Sequence, residues 1–155
     1  MACALRRYGV TDPGKTVNIL NAAQAVHIVC VRRAFVVAFY FSYALRHIDR
    51  RAYLVDGIGG MFAQQTQPIK KSATVIAISF IPYVKETLEA AATALKKRSA
   101  LIVITARPLS PMALQAIVSQ VVKEAQVGNF YSPTSSLYLA QTLSIGLAFC
   151  RQNNH

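Results

Sequence analysis

VIAISFIPYVKETLEAAATALKKRSALIVITARPLSPM, residues Val75 to Met112, decides how this chain folds. The apolar, β-branched run from Ala73 to Ser79 predicts a buried strand. A turn holding Pro82 follows, and Lys85 to Arg98 predicts a helix with Leu88, Ala91, Ala92 and Leu95 on one face. Glu86 and Glu89 stand in its first turns and Lys96, Lys97 and Arg98 at its end, the charge order a helix dipole favours. Ala100 to Thr105 predicts a second buried strand, closed by a Ser/Pro turn at Ser110-Pro111. The unit is strand–helix–strand, with its loops where an anion would sit.

Working outward, the same alternation continues. Thr16–Ala25 predicts a short helix and Val26–Val31 a strand. Ala34–Leu45, AFVVAFYFSYAL, is apolar almost all round if helical, so it needs cover on two sides, and a second subunit would supply one of them. Arg51–Asp56 predicts another strand before the Gly57–Gly60 turn. A turn of helix at Pro111–Ala116, a fifth strand at Val118–Lys123 and a closing helix at Leu137–Phe149 complete the pattern. Continuous apolar strands separated by helices predict a three-layer α/β/α fold around a five-stranded parallel sheet. The expected division is a loose segment at 1–20 and one domain over 21–152, in a chain too short for two ordinary domains.

Composition bounds the class. A hydrophobic share of 54% with 15% charged residues excludes a disordered chain. The longest uncharged run, Ala125–Cys150, is broken by Asn129, Pro133 and Gln141 and makes a poor membrane span. Gly9, Asp12, Pro13, Gly14 and Lys15 stand where a signal peptide needs an apolar core. Cys3, Cys30 and Cys150 are an odd count without CxxC spacing, which fits reduced thiols in a cytoplasm. The net charge of +11 comes from 17 Lys and Arg against 6 Asp and Glu. It favours anionic partners, from metabolites to nucleic acid. The basic residues are scattered in short groups such as Arg6-Arg7, Arg32-Arg33, Arg50-Arg51 and Lys70-Lys71, without alternating aromatics, which describes a solvated face better than a nucleic-acid track.

In an open parallel sheet, ligands bind beyond the carboxyl ends of the strands. Those ends are Val31–Arg33, Asp56–Gly60, Ser79–Val84 and Thr105–Ser110. Ser79–Val84 carries the strongest signal. Free N–H groups at the helix start, the Ser79 and Thr87 hydroxyls and the Lys85 charge together suit a phosphate. The alternative is that Ser79 and Thr87 only cap the turn and helix.

AISFIPYVKETLEAA at Ala77–Ala91 and VITARPLSPMA at Val103–Ala113 resemble the sugar-isomerase (SIS) domain, in the version found in RpiR-like transcriptional regulators. Weaker likeness runs from Val26 through RAFVVAFYFSYALR to Val55–Gly57, then at Phe130–Ser132 and the last helix, covering about residues 20–150. The resemblance implies a flavodoxin-like sheet, a homodimer or tetramer formed here through the Ala34–Leu45 helix, and binding of a phosphosugar or amino-sugar phosphate. It also implies that DNA is bound only through a separate N-terminal helix-turn-helix domain, which is expected to be missing here. Ser79, Thr87 and Ser110 match the family's pattern. Ile81 and Pro82 stand where serine, proline or glycine is common, and Val84 replaces a usual Ser or Thr. Cys30, Arg32 and Ala34 occupy a loop that is glycine-rich in the family, and Gln141 stands where a glutamate is expected. Arg32 and Arg33 either compensate by charge or block the loop.

The expected ligand-binding set is Ser79, Tyr83, Lys85, Thr87, Arg32, Arg33, Asp56 and Ser110. No catalytic residue, metal ligand or cofactor is expected. An isomerase needs a general base near neutral pKa. Glu86 and Glu89 fit the helix dipole, His27 a strand core, His47 a helix end and Asp56 a turn, while His155 lies in the tail. Three classes of function stay open: a non-catalytic phosphosugar-sensing domain, a small sugar-phosphate isomerase, and an oligomerisation module or basic nucleic-acid binder.

Overall fold

The apolar runs do become strands, and each is followed by a helix that brings the chain back across the sheet. The computed structural model describes residues 13–153. Of the loose segment expected at 1–20, residues 1–12 (with Cys3 and Arg6-Arg7) lie outside the described residues, as does the tail residue His155, while Pro13–Leu20 is helical instead of loose. The strands are β1 (Ala25–Val29), β2 (Ala52–Val55), β3 (Ala73–Ser79), β4 (Ala100–Thr105) and β5 (Val118–Val121). All pair in parallel, in the order β2-β1-β3-β4-β5. This is the flavodoxin-like doubly wound order. The helices are α1 (Pro13–Ala22), α2 (Phe35–His47), α3 (Phe62–Thr66), α4 (Lys85–Lys96), α5 (Pro111–Gln115) and α6 (Thr134–Gln152). None of the described helices is long and apolar enough to cross a membrane.

Two cores sandwich the sheet. Leu20, Phe41, Leu45, Leu143 and Leu147 from α1, α2 and α6 pack on Val26, Ile28, Ile76 and Ile102. On the other face, Ala90, Ala91 and Ala94 of α4 and Met112 and Ala113 of α5 pack on Val75, Ala77, Leu101 and Val103. β3 is buried along its whole length, as a strand covered on both faces must be.

The structure amends several expectations. α4 buries Thr87, Ala90, Ala91 and Ala94, leaving Leu88 and Leu95 about 40% exposed. Small side chains bring the helix backbone close to the sheet, and the leucines are pushed to its flanks. α1 runs from Pro13 to Ala22, not Thr16 to Ala25, because Ala25 already pairs with Ala73. The five-residue α3 and the antiparallel hairpin β6 (Gln126–Val127) and β7 (Phe130–Tyr131) were not anticipated.

Many basic side chains hold backbone carbonyls, replacing partners that only 6 acidic residues cannot supply. Arg50 donates to Leu20, Asn21 and Ala23 at the end of α1. Arg46 donates to Ala52, Lys97 to Thr66 and Gln67, and Arg151 to Ile48. Cations at helix ends and loop carbonyls are favourable there. Cys30 is a buried free thiol whose S–H meets the Val55 carbonyl, and burial pushes its pKa up to about 12. Cys150 is also free.

Candidate functional site

The strand order places a crevice where β1 and β3 lie side by side, because the chain leaves β1 in one direction along the sheet and β3 in the other. Such a switch point is where doubly wound sheets bind ligands. A cavity of about 360 Å³ opens there, lined by the loop after β1 (Val31–Ala34), the end of β3 and the turn into α4, and the hairpin residues Asn129 and Tyr131.

Ser79 ends β3 and is 4% exposed, and its Oγ has no hydrogen-bond partner among the described residues. A buried hydroxyl without a partner costs free energy, on the order of 1–3 kcal/mol, which a bound acceptor would offset. The structure therefore removes the reading in which Ser79 merely caps the turn. Beyond it the chain turns through a cis Ile81–Pro82 bond into α4. The residue at the cap of α4 is Val84, whose side chain cannot accept a hydrogen bond, so no side chain satisfies the N–H groups of the first turn. Thr87, on that first turn, is buried and lines the same cavity.

The two arginines divide their roles. Arg33 ion-pairs with Glu124, whose other oxygen accepts from Ser136. Its guanidinium also lies over the rings of Phe80 and Tyr131, at 4.4 and 4.1 Å. Arg32 is exposed and has φ of +57°, a left-handed conformation that glycine adopts far more readily. The loop thus keeps a glycine-like backbone where the resemblance expects glycine, but carries on it a guanidinium without a partner among the described residues.

Four of the eight expected ligand-binding residues, Arg32, Arg33, Ser79 and Thr87, line one cavity. The others lie apart from its lining. Lys85 is exposed and faces Glu89 at 3.5 Å. Tyr83 packs against the α4-side core. Asp56 accepts from Gln65 and Ile58, organising the glycine turn, and the Gln65 bond holds its carboxyl below the usual range. Ser110 is buried and caps α5 by accepting from the Ala113 N–H at 3.2 Å. Gln141 is exposed on α6. Sequence reasoning passed over Phe80, Asn129 and Tyr131. The signal for the last two was Gly128-Asn129 between Val127 and Phe130, a two-residue hairpin turn. Among the described residues no cluster of His, Cys, Asp and Glu could hold a metal.

Similarity to known proteins agrees with this geometry. The SIS domain family matches residues 19–150. No curated protein matches the chain. Among solved structures, it superposes on the sugar isomerase domain of an RpiR transcription factor from Sphaerobacter thermophilus with a TM-score of 0.86 at 19% identity, covering 96% of this chain and 86% of that one. It also superposes on the Vibrio vulnificus NanR protein complexed with ManNAc-6P (TM-score 0.78, 19% identity), covering 96% of this chain but 56% of that one. A Methanococcus jannaschii protein, for which a 3-hexulose-6-phosphate isomerase function has been inferred, gives 0.74 at 16% identity, with coverage of 91% and 77%. With a family match spanning most of its length and the switch-point cavity in place, the chain belongs to the SIS domain family.

Proposed function

We propose that this chain is a non-catalytic domain that binds a phosphosugar or amino-sugar phosphate at the β1/β3 crevice, as the sensing half of a transcriptional regulator. The observation that carries it is the buried, unpartnered Ser79 hydroxyl beside the uncapped first turn of α4. A hydroxyl and a helix start on one cavity wall suit a phosphate monoester. Arg32 adds a positive charge at the rim, and the V. vulnificus relative carries ManNAc-6P.

A non-catalytic role is favoured by the lining itself. Among the described residues the cavity wall holds two arginines, hydroxyls, an amide and apolar groups but no Asp, Glu or His. Glu124, behind it, is already held by Arg33 and Ser136. Moving a proton between sugar carbons needs a base with a free lone pair within reach of the substrate. The ligand state would pass to a second subunit through α2, whose Phe39 and Tyr43 are more than half exposed.

A thermal-shift panel of aldose, ketose and amino-sugar phosphates tests the proposal. A ligand present at a hundred times its Kd adds about 2.7 kcal/mol, which for a domain of this size raises Tm by roughly 5–10 °C. The matching unphosphorylated sugars should give no shift. Aldose–ketose interconversion of the best ligand by the protein would replace the sensor with an isomerase. A panel without any shift would remove both.

A further inference from the structure

The sheet face over β1 and β2 is poorly covered on one side. α3, which should cross it, has only five residues, against 13 in α2 and 12 in α4. A cleft of about 440 Å³ remains at the amino-terminal ends of β1, β2 and β3, the opposite end of the sheet from the phosphate crevice. That volume lies within the range of small-molecule pockets.

His27 lines this cleft, is 4% exposed, and has an Nδ1 without a hydrogen-bond partner among the described residues. Its ring stacks on Tyr53, with centroids 5.3 Å apart and planes inclined by 26°. Pro68 and Leu54 extend the apolar lining. The charged side chains lining the cleft, Arg51 and Lys70, are both basic, and neither has an ion-pair or hydrogen-bond partner among the described residues. Burial, and then the Lys97 charge, hold the His27 pKa below its usual value, so the ring is neutral near pH 7 and offers one donor and one acceptor.

We propose that this cleft is a second binding site, for a small planar aromatic anion whose ring lies on the His27–Tyr53 pair and whose anionic group meets Arg51 and Lys70. Aromatic carboxylates and nucleoside monophosphates share this chemistry. The site is independent of the phosphosugar crevice and of the function proposed for it.

NMR of the histidine imidazoles in the full chain reads the site directly, with the His27 signal assigned by its loss in His27→Phe. Benzoate and adenosine 5′-monophosphate are the probes, and benzamide and inorganic phosphate the controls. The expected result is a saturable His27 shift with at least one probe, at a Kd of about 1 mM or tighter, and weak or no response to the controls. Arg51→Ala and Lys70→Ala alter exposed side chains that the fold does not use. Each should weaken that binding by about tenfold, while Ser79→Ala should leave it unchanged. Benzoate and the nucleotide, compared at equal concentration, separate the two sources. The proposal is overturned by no saturable shift with either probe, by equal binding in the charge variants, or by an equal response to inorganic phosphate alone. A response that disappears when the protein self-associates would make the cleft a subunit contact and overturn it as well.

Discussion

Arg33 and Glu124, far apart in sequence, form an ion pair that joins the loop after β1 to the segment leading into the β6–β7 hairpin. Glu124 has 4% of its side chain exposed and Arg33 35%. Because the guanidinium also rests over Phe80 and Tyr131, this arginine shapes the cavity wall. Among the described residues, the free cation at the mouth is therefore Arg32.

Removing Arg33 should leave a buried carboxylate without its cation. Arg33→Ala is expected to cost about 2 kcal/mol, less than the full cost of breaking a buried pair because Arg33 is partly solvated. The double variant Arg33→Met/Glu124→Gln should recover much of that loss. Urea denaturation of the single and double variants measures both. An additive double variant would mean that the pair is not coupled.

Arg32 pays a conformational cost for its charge. Arg32→Gly relieves the left-handed strain at φ +57° and removes the guanidinium. Stability is expected to hold or rise by up to about 1 kcal/mol, while phosphosugar affinity falls by about tenfold. Chemical denaturation and ligand titration read the two effects separately. A loss of stability would show that Arg32 serves the fold.

The sheet was legible because each strand is a continuous apolar block, and Ala73–Ser79 and Ala100–Thr105 coincide with their expected limits. The packing of α4 was not, because periodicity alone could not choose between the Leu88/Leu95 face and the Thr87/Ala90/Ala94 face. What decided it was how closely the helix approaches the sheet, a tertiary quantity. Ser79 and Thr87 could be placed from the turn and the helix start. Arg33 was expected on the ligand for its charge, because its partner Glu124 lies on the far side of the fold in sequence. Asp56 and Ser110 stand at strand ends as expected, yet Asp56 Oδ1 accepts from Gln65 and Ile58 and Ser110 Oγ accepts from Ala113.

His27 makes stability fall on mild acidification. Its pKa is lowered in the folded chain and stands near 6.5 in the unfolded one, so the unfolded state takes up the proton first. The stabilisation is complete above pH 6.5 and is lost as pH falls from there toward the folded value. His27→Phe keeps a ring against Tyr53 and removes the titration. Urea midpoints at pH 7.5 and 5.5 should differ in the parent chain and converge in the variant. A parent curve that is flat over this range would exclude the effect.

The exposed face of α2 carries the proposed self-association. Phe39 and Tyr43 are 55% and 56% exposed, one turn apart, beside Phe35. Phe39→Glu/Tyr43→Glu changes only exposed positions, so it should produce a folded monomer. Sedimentation velocity should show the parent as a dimer or tetramer. A monomeric parent, or an unchanged oligomer in the variant, would place the interface elsewhere or remove it.

Calorimetric titration of the parent and Ser79→Ala with the phosphosugar that shifts Tm most is the most direct test of the central claim. The account predicts one saturable site in the parent and at least tenfold weaker binding in Ser79→Ala, with the variant's urea midpoint equal or higher because its orphaned hydroxyl is gone. Equal affinity in both proteins, or binding lost only together with stability, would contradict it.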